Sequence, residues 1–422
     1  MGASPTRSQE YVQSLSETVF SRDQAPYERA MLIHPLITTT DELTALCERM
    51  STSPFIAVDT EFMRENSYWP DLCLVQVATA EEAAPIDPKS EDLDLTPLLN
   101  LLVNNENILK VFHAGGQDIE IIFNLTGSTP HPLFDTQVAA MALGLGEQVG
   151  YQNLVESLLG KHLDKGARFT DWGRRPLDAR QIDYAIGDVT HLATLFPKML
   201  DRLRRTGRGE WLDQEMERLA DPSNYLNDPA ESWKRVKIAS KKPDVLGRLK
   251  ALAAWREIEA RSKNLPRGRI MKDETLADVA MHPPVNQEAL ARVRGLSPAW
   301  KANDIGTRLM DALAAAQPLP SAEMPARDER GPALGKEGAL VADLLKLLLK
   351  IRARESNVAA RLVARSDELE QLAAGKRNGL AILQGWRFEE FGRDALDLVE
   401  GRLAFAVRRG KLVMTRTEES DA

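Results

Sequence analysis

The sequence predicts an α/β domain with a mixed sheet, followed by two all-helical domains. Short apolar runs alternate with helix-like stretches over residues 31–205, the pattern of strands interleaved with helices. From Pro243 to Ala316 the pattern turns helical, with Leu246, Leu249 and Leu252/Ala253 recurring at helical spacing. A stretch carrying Pro318, Pro320, Pro325 and Pro332 then breaks the pattern, and a second helical block opens with Leu340, Leu344, Leu347/Leu348 and Ile351.

Taken in order, residues 1–30 read as a polar extension, with Met31 as a candidate natural start. The α/β domain spans 31–205. Its strands are expected at Phe55–Val58, Leu72–Thr79, Ala84–Ile86 and Ile108–Phe112. Its helices are expected at Thr40–Met50, Gln117–Asn124, Thr136–Leu143, Gln152–Leu159 and from Asp178 to about Arg204, the last with Leu192, Leu195 and Leu203 on its apolar side. A bridge with Pro222 and Pro229 covers 206–240. The first helical domain covers 241–316, a linker 317–338, the second helical domain 339–412 and a tail 413–422. At 422 residues the chain is long enough for two or three domains.

No apolar run approaches the roughly 18 residues of a membrane span, and the N-terminus lacks the apolar core of a secretory signal. Cys47 and Cys73 form no metal or disulfide pattern, so a reducing cytoplasm is the expected location. Net charge is −8, yet thirteen Lys/Arg stand against three acids between Lys234 and Lys272, a local +10 that leaves −18 on the rest. Such a basic stripe suits a phosphate backbone. The alternative is a solvated helix face rich in long basic side chains.

Four motifs carry chemistry. Asp59-Thr60-Glu61 ends the first apolar run, and alternate strand residues share a face, which brings two carboxylates together. Clustered carboxylates stay ionised only with cations among them. His113-Ala-Gly-Gly-Gln-Asp118 follows the Ile108–Phe112 strand, its glycines permitting a tight turn, with Asp118 in the first turn of the next helix. Tyr184-Ala-Ile-Gly-Asp188 lies within the long helix, where residues four apart share a face. Thr170-Asp-Trp-Gly-Arg-Arg-Pro-Leu177 precedes that helix and brings an aromatic ring and two cations.

In this order the motifs resemble those of 3′→5′ exonucleases with four catalytic acids and a tyrosine. The Thr170–Leu177 segment is similar to the ribonuclease D branch, which includes the exosome-associated nuclease and the Werner-type exonuclease. The resemblance covers about residues 31–205 and continues more weakly to about 410. It implies a ribonuclease-H-like fold and metal-dependent release of 5′-mononucleotides from RNA 3′ ends, with precursor transfer RNA as the expected substrate. Asp59, Glu61, Asp118 and Asp188 would hold two Mg²⁺ ions, with Mn²⁺ as the alternative. Tyr184 would orient the attacking water, a role that suits a phenol of ordinary pKa near 10 better than general-base work. Two metals about 3.5–4 Å apart supply the nucleophile, neutralise the phosphoryl charge and stabilise the leaving oxygen.

The helical blocks resemble each other. Arg269–Ala280 is similar to Arg361–Ala373, and Gly295-Leu-Ser-Pro-Ala-Trp to Gly385-Trp-Arg-Phe at comparable distances. Both resemble the helicase-and-RNase-D C-terminal (HRDC) module, the first more closely through Leu265-Pro-Arg-Gly-Arg-Ile270 and Asp273. No phosphate loop of a helicase motor is present.

Other residues carry two readings. Trp172 and Arg174 are candidate substrate contacts, by stacking and phosphate pairing, or else a packing corner. Phe62 and Met63 could wedge against the terminal base, or pack in the core. Asp135 is a helix N-cap or a carboxylate behind the site, and Asp171 is a further candidate for the latter. His113 and His191 read as structural, and Gln76 could approach the site from the second strand. Nothing requires oligomerisation, so a monomer is expected. Two rival functions remain open: a DNA exonuclease of the same fold, and a nucleic-acid-binding protein without catalysis.

Overall fold

The computed structural model describes residues 30–163, 166, 170–297, 300, 303–324 and 334–416. The expected extension to residue 29, linker residues 325–333 and tail residues 417–422 lie outside the described residues.

The N-terminal domain runs β1 (Leu32–Ile33), α1 (Thr40–Met50), β2 (Phe55–Met63), β3 (Asp71–Ala78), β4 (Glu82–Ile86), α2 (Thr96–Asn104), β5 (Leu109–Phe112), α3 (Gly116–Thr126), β6 (Leu133–Asp135), α4 (Thr136–Ala142), α5 (Tyr151–Leu159) and α6 (Ala179–Thr206). The sheet order is β1-β4-β3-β2-β5-β6. Strands β2, β3 and β4 form an antiparallel meander, while β1 joins β4 in parallel and β5 and β6 extend the sheet in parallel from β2. The sheet is therefore mixed, as expected. The edge strands β1 and β6 are too short to show an alternating pattern in the sequence. Strand β2 runs past Val58 to Met63, because β3 supplies ladder partners to the acidic segment, pairing Asp59 with Gln76 and Glu61 with Leu74.

Helix α6 opens on a capping box. The Asp178 side chain accepts the Gln181 N–H at 2.9 Å, and the Gln181 side chain accepts the Asp178 N–H at 3.0 Å. The helix then crosses β2, β3 and β4. Its Phe196 packs with Phe55 and Phe134 at ring separations of 4.9 and 5.2 Å. That packing fixes where Tyr184 and Asp188, further up the same helix, meet the sheet.

Residues 206–240 do not form a free bridge. Leu212, just before helix α7 (Asp213–Ala220), Met216 within it and Tyr225 in the following turn all enter the first core. Trp233 and Val236 enter the second core. That second core belongs to α8 (Pro243–Ser262), α9 (Arg267–Ile270), α10 (Asp273–Met281), α11 (Gln287–Leu290) and α12 (Asp304–Ala315), with Leu246, Leu249, Leu252, Leu276 and Leu309 buried inside it. Leu319, in the expected linker, is buried here too, and its N–H donates to Pro243 O at 2.9 Å.

The last block comprises α13 (Lys336–Glu355), α14 (Ala360–Val363), α15 (Ser366–Ala373), α16 (Gly385–Arg387) and α17 (Arg393–Val399). The expectation that it is all-α is corrected by a hairpin, β7 (Leu403–Arg408) and β8 (Lys411–Arg416), which takes in the start of the expected tail. Leu403, Phe405 and Met414 pack on the block's core. Arg409 and Gly410, both at positive φ, make the two-residue turn that strand twist favours.

The two helical blocks open alike. Each begins with a 20-residue helix, passes through an asparagine in left-handed backbone (Asn264 at φ 47°, Asn357 at φ 50°), and continues into a four-residue helix and a third helix. Both asparagine turns dock on the α/β domain. The Asn264 side-chain oxygen accepts the N–H groups of Tyr68 and Trp69 at 3.1 and 3.0 Å. The main-chain oxygens of Ser356 and Asn357 accept from Arg208, and the Ala359 N–H donates to Met141 O. Among the described residues, no helix is long and apolar enough to cross a membrane.

Candidate active site

Asp59 and Glu61 project from the same face of β2, and α6 brings Asp188 over them. Carboxylate oxygens of these three residues all lie within 4.8 Å of one another. All three keep part of their surface open. Burial raises the Asp59 carboxyl well above its ordinary range, and the neighbouring Asp118, Asp188 and Glu61 raise it further. Such a cluster is costly as it stands and is relieved by a divalent cation, for which an all-oxygen donor set is suited. The residues present therefore fit a metal.

Asp118, the fourth predicted acid, is placed differently. It sits in the first turn of α3 and is buried, and it accepts a hydrogen bond from the hydroxyl of Thr60, the residue between Asp59 and Glu61. It is close enough to raise Asp59 but stands outside the three-carboxylate group. Burial pushes its own carboxyl up to about 6, against the pull of the Thr60 bond.

The turn before Asp118 departs from the sequence expectation. Its left-handed residue is Ala114 at φ 55°, not either glycine. Gly115 is required by close approach, since a Cβ there would stand 2.5 Å from Phe112 Cβ. Asp135 holds the turn, accepting the N–H groups of Ala114 and Gly115 at 3.2 and 2.9 Å while capping α4 through Gln137 and Val138. Both readings of Asp135 therefore apply.

Tyr184 lies one helical turn before Asp188. Two clefts of about 490 Å³ each meet at this pair. One is lined by Asp59, His113, Gln137 and Tyr151, the other by Lys161, His162, Arg180 and His191. Tyr151 escaped the sequence reading. Its hydroxyl donates to the main-chain oxygen of Asp188, and its ring lies 5.2 Å from that of His113. Burial and the charges of Asp188 and Asp59 hold its phenol well above the ordinary range, so it stays a donor. The signal was weak, a lone tyrosine after Gly150 at a helix start. The Thr136 hydroxyl donates to Phe112 O, so His113 Nδ1–H is the donor in its 3.0 Å contact with Thr136. Burial lowers the pKa of His113, leaving the imidazole neutral.

Trp172 is corrected from a stacking platform to a packing residue. It is only 3% exposed, in a cluster with Cys73, Leu74, Leu177 and Ala185, and its ring lies 6.3 Å from that of Tyr184. Met63 packs on the same cluster and also borders an open cleft beyond β2. Phe62 is half-buried, next to a register shift between β2 and β3 at Glu61/Phe62. Arg174 is exposed, whereas Arg175 forks onto Asp87 at 2.6 and 2.7 Å and locks the Trp172 loop to the sheet. Asp171 lines the open cleft and caps its own loop through the Gly173 N–H.

The basic stripe is partly committed to structure. Lys234, Lys250, Arg256, Arg261, Lys263 and Arg267 pair with Glu231, Glu323, Asp273, Glu257, Glu259 and Glu257. Glu257 also accepts from the Tyr68 hydroxyl, which joins the first helical block to the arm that follows β2. Lys237, Lys241, Lys242, Arg269 and Lys272 are exposed and form no ion pair among the described residues. With Arg235, which is exposed and bonds Asn227 rather than an acid, they are the stripe's exposed cations outside ion pairs among the described residues.

Comparison with known proteins matches the first domain and the first helical block to known families. Residues 35–204 match the 3′-5′ exonuclease family, and residues 245–313 match the HRDC domain. The Ribonuclease D of Sphingobium indicum is 73% identical over 388 residues, covering 92% of this chain and 100% of that protein. The Ribonuclease D of Zymomonas mobilis is 64% identical over 389 residues, with 92% and 100% covered. The crystal structure of Escherichia coli RNase D, described as an exoribonuclease involved in structured RNA processing, aligns at TM-score 0.72 and 28% identity over 87% of this chain and 99% of that one.

Proposed function

Because this chain belongs to the ribonuclease D family, we propose that it trims the 3′ ends of precursor transfer RNAs and other structured RNAs, releasing 5′-mononucleotides. It is a 3′→5′ exoribonuclease that uses divalent metal. The observation that carries the chemistry is the group formed by Asp59, Glu61 and Asp188 within 4.8 Å. These three, with Asp118 beside them, would hold two Mg²⁺ ions, or Mn²⁺ in their place. When bound, the ions would supply Lewis acidity for activating water, neutralising the phosphoryl charge and stabilising the leaving oxygen.

The protein's own groups do the positioning. Tyr184 faces the clefts where α6 meets β2 and orients the attacking water. Tyr151 secures the main chain at Asp188. Phe62, Met63 and Arg174 contact the RNA, Arg174 through phosphate. Lys237, Lys241 and Lys242 grip the backbone further upstream. The second helical block is a divergent HRDC copy, a reading supported by its matching succession of helices and its matching asparagine turn. The enzyme acts as a monomer in the cytoplasm.

The test uses matched 3′-extended RNA and DNA, with the full chain and its Asp59→Asn variant, in Mg²⁺ or EDTA. Stepwise loss of RNA 3′ nucleotides that needs Mg²⁺ and vanishes in the variant is the expected result. Preferential loss from DNA would move the assignment to a DNA exonuclease. RNA binding without hydrolysis of either substrate would leave a binding protein.

A further inference from the structure

Gln76 is the anomaly of the catalytic sheet. It is 0% exposed, yet neither its side-chain oxygen nor its nitrogen has a hydrogen-bond partner. A buried amide left unpaired costs free energy and is uncommon in native proteins, so it calls for an explanation.

Its surroundings narrow the explanation. Gln76 stands directly opposite Asp59 in the β2–β3 ladder, and directly opposed residues share a face of the sheet. On its other side it opposes Pro85, whose side chain offers no polar group. Along its own strand the same face carries Leu74 and Ala78, and on β2 it carries Ala57, Asp59 and Glu61. Asp87, just past β4, is taken up by Arg175. The polar side chains beside Gln76 in this layer of the sheet that are left to receive its amide are thus the acids of the site.

We propose that Gln76 is a positioning residue whose side-chain amide donates to the Asp59 carboxylate when the acidic cluster holds metal. One Asp59 oxygen is then fixed by an N–H from behind and the other is directed to the ion. Carboxylate ligands are commonly held in this way by an outer hydrogen bond, and losing that bond weakens metal binding about 10- to 100-fold. The inference rests on the metal reading of the cluster. In the metal-free protein the same amide is a liability, so stability and metal affinity should respond to its removal in opposite directions.

The experiment compares the full-length wild type, Gln76→Met and Asp59→Asn. Metal-free melting temperature is measured in EDTA, and Mg²⁺ and Mn²⁺ affinity by calorimetric titration. Methionine keeps the length of the side chain and removes both polar groups. The expected result is a Gln76→Met protein that melts no lower than wild type without metal but binds Mn²⁺ at least about tenfold more weakly. Unchanged Mn²⁺ affinity in Gln76→Met, with normal binding in wild type, overturns the role of Gln76 alone. A lower melting temperature with unchanged affinity would assign Gln76 to packing and overturn it as well. Absence of divalent-metal binding by the wild type itself would overturn both this role and the metal reading. Should Gln76→Met not fold, Gln76→Leu is judged by the same two measurements.

Discussion

The side-chain oxygen of Asn264 accepts the main-chain N–H of Tyr68 at 3.1 Å, tying the turn after the basic helix α8 to the arm that leaves β2. The same oxygen takes the Trp69 N–H at 3.0 Å, and Asn264 itself sits at φ 47°, where asparagine is better tolerated than most residues. Asn264 thus adds two main-chain contacts to the junction that Tyr68 makes with Glu257, Arg261 and Arg267 between the acidic strand's arm and the basic bundle. Asn264→Ala should remove both acceptor contacts and strain the turn, costing about 2 kcal/mol of stability. Chemical denaturation would show this. Cleavage of a very short oligonucleotide should be nearly unaffected while affinity for long RNA falls; equal losses on both substrates would contradict a docking role.

The acidic cluster predicts a pH dependence of the metal-free protein. Asp59 lies well above its ordinary value, through burial and the charges of Asp118, Asp188 and Glu61, and burial brings Asp118 up to about 6. Both shifts are upward from an unfolded value of about 3.9. The folded state then holds protons that the unfolded state has released. The stability this confers is present below about pH 4 and is lost as pH rises through 6 and beyond. Asp59→Asn removes the largest of these groups, so its stability advantage over wild type in EDTA should widen between pH 4 and about 7. Paired melts across that range check the sign; a constant difference would contradict the assigned coupling.

Tyr151 should matter for catalysis without touching the backbone grip. Tyr151→Phe deletes the bond to the Asp188 main-chain oxygen and keeps the ring beside His113. A neutral hydrogen bond contributes about 1 kcal/mol, so the expected loss is about fivefold in kcat, with RNA affinity unchanged. Steady-state kinetics with a fluorescent 3′-labelled RNA would measure it, and an unchanged kcat would remove Tyr151 from the positioning set.

Salt dependence tests the basic surface. Replacing Lys237, Lys241 and Lys242 together with Gln removes three exposed cations that make no ion pair among the described residues. The slope of log affinity against log salt should become shallower by about 2, at about 0.7 per single-strand contact. Replacing Lys250 and Lys263, which are paired with Glu323 and Glu259, should change the slope far less.

Much was legible in the residues alone. The expected strands and helices at Thr40–Met50, Phe55–Val58, Leu72–Thr79 and Ile108–Phe112 and the helical start of both blocks follow from local periodicity, whereas α2 and the edge strands β1 and β6 were not expected, and the roles of Asp59, Glu61, Asp118, Tyr184 and Asp188 came from the resemblance of their motifs to a known family. Helix α1 falls on its expected residues, and Asp178 caps α6 where the long helix was expected to begin. The hairpin turn at Arg409-Gly410 was not read from the sequence, which lacks there the Asn-Gly or Asp-Gly pair that most strongly marks such turns.

What the sequence could not determine is whatever depends on contacts between distant segments. Packing of Phe196 on Phe55 and Phe134 sets where α6 lies, and hence that Asp188 reaches Asp59 and Glu61 while Asp118 is taken by Thr60. Burial alone separates Trp172, enclosed under Tyr184, from the exposed Arg174 two residues later. Strand register alone puts Gln76 beside Asp59, and ion pairing with distant acids decides which cations of the stripe remain available. Local propensity acts over a few residues, whereas register, burial and pairing arise only when segments tens to hundreds of residues apart close on one another.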